Sequence, residues 1–135
     1  MRIVLDTNVV VSGLLSAVTP PGRVIDSVYT GEVILVFDER IIAEYTMVLA
    51  RPRFHFDPAN IEWFRAIARL GESILAPPLP LTLPDPTDLK FVEVAVAGGV
   101  DAIVTGNGRD FRIAEGKLAM PVVSPRQLIE LLRKE

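Results

Sequence analysis

The chain has no cysteine and a single histidine, His55. That excludes disulfides, thiolate metal centres, cysteine nucleophiles and any zinc site built on several imidazoles. The lack of cysteine fits a reducing compartment, so a cytoplasmic location is expected. No apolar stretch approaches the roughly 18 residues of a membrane span. Asp6 interrupts the first apolar run too early for a secretory signal. Basic excess is also missing, with a formal net charge of −3. Such a chain cannot rely on bulk phosphate attraction to hold a nucleic acid. It can engage one only through local cations or a bound metal ion. There is no internal repeat, no low-complexity tract and no linker long enough to divide domains.

What remains is an ordinary globular composition. Half of the 135 residues are hydrophobic, enough for one domain, 1–135, with a real core. Short strand-like runs alternate with helical patterns. Ile3-Val4-Leu5, Val33 to Phe37, Ser73 to Leu75, Ala102 to Thr105 and Val122-Val123 read as strands, the second apolar throughout, as for a strand covered on both faces. Helices are predicted over Asn8–Ser16, Val24–Tyr29 behind Pro20-Pro21, Asp38 (as N-cap) to Ala50, Pro58–Leu70, Asp85-Pro86 to Ala97 and Ser124-Pro125 to Leu132. Gly98-Gly99 is the stop of the fifth. In the fourth, Trp63, Phe64, Ile67 and Leu70 form a bulky apolar side suited to core packing or to a dimer or partner surface. The proline-rich stretch Ala76–Pro86 reads as an extended connection. This order predicts an α/β/α sandwich around a parallel sheet of about four or five strands.

In a parallel α/β sheet, ligands bind beyond the carboxyl ends of the strands. Returning helices put their N-termini at that same edge. Asp6 follows the first strand, Glu44 lies in the early half of the helix after the second, and Asp88 opens a later helix. Asn107 and Asp110 follow the strand ending at Thr105. Asp101 precedes that strand and belongs to the opposite edge. Glu44 sits three residues after Ile41 and four before Val48, at the rim of the buried stripe, while Asp88, Val92 and Ala95 share a face. No lysine or arginine is expected on those faces. Inward carboxylates without basic partners are costly unless a cation relieves them, and an all-oxygen donor set suits Mg²⁺ or Mn²⁺.

Each residue also has a structural reading. Asp6 could cap the following helix, Asp88 could be a first-turn acid behind Asp85, and Glu44 could be a surface residue. Asn107, between two glycines, suits a left-handed turn. Arginines form two local clusters, Arg51 and Arg53 near His55, and Arg109 with Arg112; solvated surface charge is the plain reading of both. His55, between two phenylalanines, reads as structural.

Four segments, in order and spread over most of the chain, match a known pattern: Val4-Leu-Asp6-Thr-Asn8-Val9; Glu44 followed by Leu49-Ala-Arg-Pro-Arg-Phe54; Asp85-Pro-Thr-Asp88-Leu-Lys-Phe91 leading to Ala95; and Ile103-Val-Thr-Gly-Asn107-Gly-Arg-Asp110-Phe111. The chain resembles PIN-domain nucleases, in particular the VapC-like toxins of bacterial and archaeal toxin–antitoxin pairs. The resemblance implies Mg²⁺- or Mn²⁺-dependent cleavage of single-stranded RNA, a protein antitoxin as partner, and a homodimer. It carries the family's acidic cluster to Asp6, Glu44 and Asp88 as metal-binding and catalytic residues. Many members have Thr-Gly-Asp where this chain has Thr105-Gly106-Asn107; members with a later Asp-Phe use that acid, here Asp110. Asn8, Thr105, Asn107 and Arg109 are candidates to position substrate or water. Two rivals stand beside this reading. One is a non-catalytic PIN-like domain that binds RNA or protein. The other is a haloacid-dehalogenase-type phosphatase, whose opening motif wants a second aspartate where this chain has Asn8.

Overall fold

The computed structural model describes residues 1–134. Five strands, β1 (Arg2–Leu5), β2 (Ile34–Phe37), β3 (Glu72–Ser73), β4 (Ala102–Val104) and β5 (Val122–Val123), form one sheet in the order β3-β2-β1-β4-β5. Every pairing is parallel. Seven helices connect and cover it: α1 (Thr7–Leu15), α2 (Pro20–Thr30), α3 (Glu39–Leu49), α4 (Pro58–Ala68), α5 (Leu89–Gly98), α6 (Arg112–Leu118) and α7 (Pro125–Arg133). The architecture is the expected α/β/α sandwich. Helix α2 packs on α1 and α7, whereas α5 lies along β1, β2 and β4. The right-handed sense of βαβ crossovers sets α5 on the face opposite α1 and α2.

The central strands are buried because both faces are covered. Ile3, Val4, Leu5, Ile103 and Val104 are wholly inaccessible, as their unbroken apolarity requires. Chain order reverses at β1, which has β2 on one side and β4 on the other. The connections leaving β1 and β4 run in opposite directions, toward β2 and toward β5, opening a crevice at the carboxyl ends of β1 and β4. The backbone N–H of Asp6 donates to Val104 O at 2.9 Å, so Asp6 enters that crevice as the last residue held by the sheet.

Helix starts follow the sequence signals. Asp38 accepts from Ile41 N–H at 3.2 Å, and Ser124 forms a reciprocal capping box with Gln127. Gly99, at φ 57°, ends α5 in the left-handed region. Four local expectations are corrected. The segment before α5 is not regular helix: Pro86–Asp88 is a 3₁₀ turn, which places Asp88 at the cap position of α5. Helix α6 is unpredicted, being short and weakly patterned around Gly116. Strand β3 comes earlier than Ser73–Leu75, and Leu75 is almost fully exposed, because Gly71 packs its Cα face directly on the Leu35 carbonyl and registers the chain there. In α4 the buried arc is Phe64, Ile67 and Ala68. Trp63 lies about 100° round the helix from Phe64 and stays 41% exposed against Tyr29, while Leu70 falls beyond the helix end at 82%.

One partly buried ion network, its Arg40 side chain half-exposed, ties α3 to α5. Arg40 on α3 pairs with Asp38 and reaches Glu93 of α5 at 2.9 Å; the other Glu93 oxygen accepts from Leu79 N–H at 2.8 Å. Glu93 is 5% exposed. Its charge is compensated on both oxygens, as burial demands. The network fixes α3 against α5 and pins the proline-rich connection across them.

Candidate active site

A cleft of about 510 Å³ opens at the switch point, and Asp6, Glu44, Asp88, Asn107 and Asp110 all line it, joined by Asp85. The elements bring each side chain there for a local reason. Asp6 ends β1, and Glu44 is carried by α3, which is locked to β1 by the Tyr45 hydroxyl donating to the Leu5 carbonyl. Asp88 stands at the cap of α5, behind a 3₁₀ turn whose start is closed by Asp85 accepting from Thr87 N–H and Oγ1. Asp110 comes from the 3₁₀ turn Gly108–Phe111 after β4.

Asp6 is almost fully buried and does not cap α1. Its Oδ2 accepts from Thr105 Oγ1 at 2.7 Å, and Thr105 Oγ1 in turn accepts from Asn107 N–H at 2.9 Å. Thr105 is too buried to touch a substrate; it orients Asp6. Asn107 has φ −120°, so the left-handed turn expected of it is absent. Its amide N–H steadies Thr105 while its residue borders the cleft. Asn8 is exposed on the first turn of α1 and also borders the cleft.

Electrostatically the cleft is overloaded with negative charge. Burial pushes the Asp6 carboxyl above its usual range, and Glu44 adds to the rise, against the offsetting hydrogen bond from Thr105. Asp88 is raised to about 7, first by burial and then by Asp6, Asp85, Glu44 and Asp110. Tyr45 is pushed well above the ordinary phenol range by complete burial and by the same Asp6 and Glu44. It stays a neutral donor at any working pH.

Two cationic features were not anticipated. Lys90 Nζ lies 2.6 Å from Glu44 Oε1, contrary to the expectation that no base shares those faces. A long side chain in the first turn of a helix leans toward the helix N-terminus, and that rule alone could have brought Lys90 back to the site edge. Thr7 Oγ1 donates to the other Glu44 oxygen. Arg51, Arg53 and Phe54, just after α3, also line the cleft. Arg53 lies over the Phe54 ring at 4.7 Å, and neither arginine pairs with a carboxylate among the described residues. Arg109, expected beside the acids, instead lines a separate depression with Arg112 and Glu115. Successive residues of a 3₁₀ turn point about 120° apart, so the turn that aims Asp110 inward turns Arg109 away.

A family model for the PIN domain matches residues 2–109. The chain belongs to the PIN-domain family. The matched span carries Asp6, Glu44, Asp85, Asp88 and Asn107 and ends one residue before Asp110. No curated protein and no solved structure matches the chain. PIN domains are nuclease-type folds, so phosphodiester hydrolysis on a nucleic acid is the class of chemistry this PIN domain carries. No helix among the described residues is long and apolar enough to cross a membrane.

The donor set fits a hard divalent ion. All candidate ligands are oxygens, and the raised carboxyls mark negative charge that the protein does not neutralise itself. Among the described residues no group of three His, Asp or Glu side chains stands close enough to enclose an ion. Mg²⁺ ordinarily keeps several waters and takes only one or two carboxylates from the protein, so an open cleft suits it better than a closed cage.

The Asp88 shift has a testable sign. Between about pH 4 and 7 the folded PIN domain holds a proton on Asp88 that the unfolded chain has released. This group's contribution to stability therefore falls as pH rises through that window. Asp88→Asn removes the conflict. In metal-free buffer the variant should melt higher than the wild type at pH 8, by on the order of a few degrees, with the difference vanishing toward pH 4. Thermal denaturation across pH checks this; a variant that melts lower at pH 8 contradicts the charge conflict.

Proposed function

We propose that this PIN domain is a metal-dependent endoribonuclease that cleaves single-stranded RNA, acting as the toxin of a toxin–antitoxin pair. The observation that carries the reading is one cleft lined both by a cluster of carboxylates and by two arginines that pair with no carboxylate among the described residues. A polynucleotide needs both. Arg51 and Arg53 offer charge-assisted hydrogen bonds to phosphates, and Phe54 supports the Arg53 guanidinium at the cleft. The cations are few and local, in keeping with the net charge of −3.

Mg²⁺ or Mn²⁺ would be held by Asp6, Asp88 and Asp110, with Glu44 beside them. When bound, the ion supplies a more acidic water and offsets charge on the phosphoryl oxygens. The chain's own residues do the rest. Thr105 holds the Asp6 carboxylate through Oδ2, so that it borders the cleft in one orientation. The Arg51–Arg53 pair holds the phosphates flanking the scissile bond and sets the strand in line for attack. Water oxygen bonds to phosphorus, the ester P–O bond breaks, the departing ribose oxygen takes a proton from solvent, and the attacking water gives one up to solvent. Asn8 and Asn107 are placed to hydrogen-bond substrate or water at the cleft rim.

The antitoxin and the homodimer rest on the family resemblance. The exposed Tyr29–Trp63 pair with Leu70 supplies apolar surface of the kind a protein partner covers.

Asp6→Asn should abolish Mn²⁺-dependent cleavage of single-stranded RNA and leave the far-ultraviolet circular dichroism unchanged. Undiminished cleavage by that variant, purified free of host ribonucleases, would overturn the assignment. The Arg51→Ala and Arg53→Ala variants should each weaken RNA binding and lower the salt slope of the affinity by about one. Arg109→Ala should leave both unchanged. Fluorescence anisotropy over a salt series separates these outcomes.

A further inference from the structure

We infer that Lys90 is a built-in countercharge that withdraws Glu44 from metal binding, so that one divalent ion per chain, not two, completes the site. The inference rests on the metal-dependent reading above and sharpens it.

The hydrogen bonds distinguish the four acids. Both Glu44 oxygens are taken by protein donors: Oε1 faces Lys90 Nζ at 2.6 Å, and Oε2 accepts from Thr7 Oγ1. Asp6 has its Oδ2 engaged by the Thr105 hydroxyl and is also stabilised by the Thr7 and Asn8 backbone amides, but meets no cation among the described residues. Asp88 and Asp110 accept no side-chain or backbone hydrogen bond among the described residues. The capacity to ligate is therefore concentrated on Asp6, Asp88 and Asp110, and Glu44 is the acid least free to join them.

Lys90 is held firmly enough for the role. Its ammonium donates to the Thr87 carbonyl and lies 5.1 Å from the Phe91 ring centroid. The side chain is only 13% exposed and that of Glu44 19%. A pair so shielded is weakly screened by salt, and removing one member leaves an uncompensated charge. An ion binding at Glu44 would have to displace an ammonium already ion-paired with it and hydrogen-bonded to the Thr87 carbonyl. A second site composed of Glu44 and a neighbour is thus occupied in advance by the lysine, and its positive charge stands beside the cleft without any metal.

The test is Mn²⁺ binding to the full chain, read as stoichiometry and affinity by electron paramagnetic resonance, with no activity assay involved. The wild type should bind one Mn²⁺. Lys90→Met should expose Glu44 and admit a second ion. Lys90→Arg should keep the stoichiometry at one, because the charge is kept. The double variant Glu44→Gln with Lys90→Met removes the pair as a neutral unit and should bind one Mn²⁺ with wild-type affinity. It also keeps the test open should the single variant fail to fold. Two ions on the wild type, one ion of unchanged affinity on folded Lys90→Met, or a loss on the order of 10–100-fold in the double variant, as expected of a lost ligand, would each overturn the inference while leaving the metal reading intact. No Mn²⁺ on any of the chains would overturn both.

Discussion

Burying Asp6 beside other carboxylates is the most costly arrangement in this chain, and the surrounding structure depends on how that cost is met. The β1–β4 pairing forces the position, because Asp6 is the first residue beyond a wholly buried strand and its N–H is bound to Val104. The protein supplies the Thr105 hydroxyl and the backbone amides of Thr7 and Asn8, yet burial still holds the carboxyl above its usual range. Elsewhere it behaves differently. Glu93 is equally buried and has both oxygens satisfied by Arg40 and a backbone amide. The same fold thus contains a carboxylate that is fully compensated and a cluster that is not, and only the second opens onto a cleft.

That contrast separates structural from functional charge. A compensated buried ion pair holds elements together. A carboxylate cluster that faces solvent with little basic compensation suits a cation, and raised carboxyls concentrate at such places. The Arg40–Glu93 network does its work one layer away, keeping α3 and α5 in a fixed relation so that Glu44 on α3 and Asp88 at the start of α5 are presented together. Sites carried on helices and strand ends are held more exactly than sites on loops. Asp88 comes from the 3₁₀ turn that leads into α5, and Asn107 and Asp110 from the connection after β4.

Much of this was legible in the sequence. The apolar runs and helix periods dictated a parallel α/β/α sheet, and the edge rule gathered Asp6, Glu44, Asp88, Asn107 and Asp110 before any coordinate. What was not legible involved side-chain reach and local turn geometry. Lys90 was passed over because helical faces were assigned from Cα positions, whereas its four-carbon stem folds back over the preceding turn. Arg109 and Asp110 are adjacent in sequence but diverge on a 3₁₀ turn, which no periodicity revealed. Arg51 and Arg53 looked like ordinary surface charge, since the return of the chain to the cleft after α3 is a tertiary event. Trp63 was grouped with Phe64 by spacing alone, and the centre of the buried arc proved to lie on its neighbours.

The central claim is that the switch-point cleft binds a divalent ion through Asp6 and its neighbouring aspartates. The most direct measurement is anomalous diffraction from crystals of the chain soaked in Mn²⁺. The account predicts one strong peak beyond the ends of β1 and β4, within coordinating distance of Asp6 and Asp88. A manganese peak only elsewhere on the surface, with the cleft holding none, would contradict it.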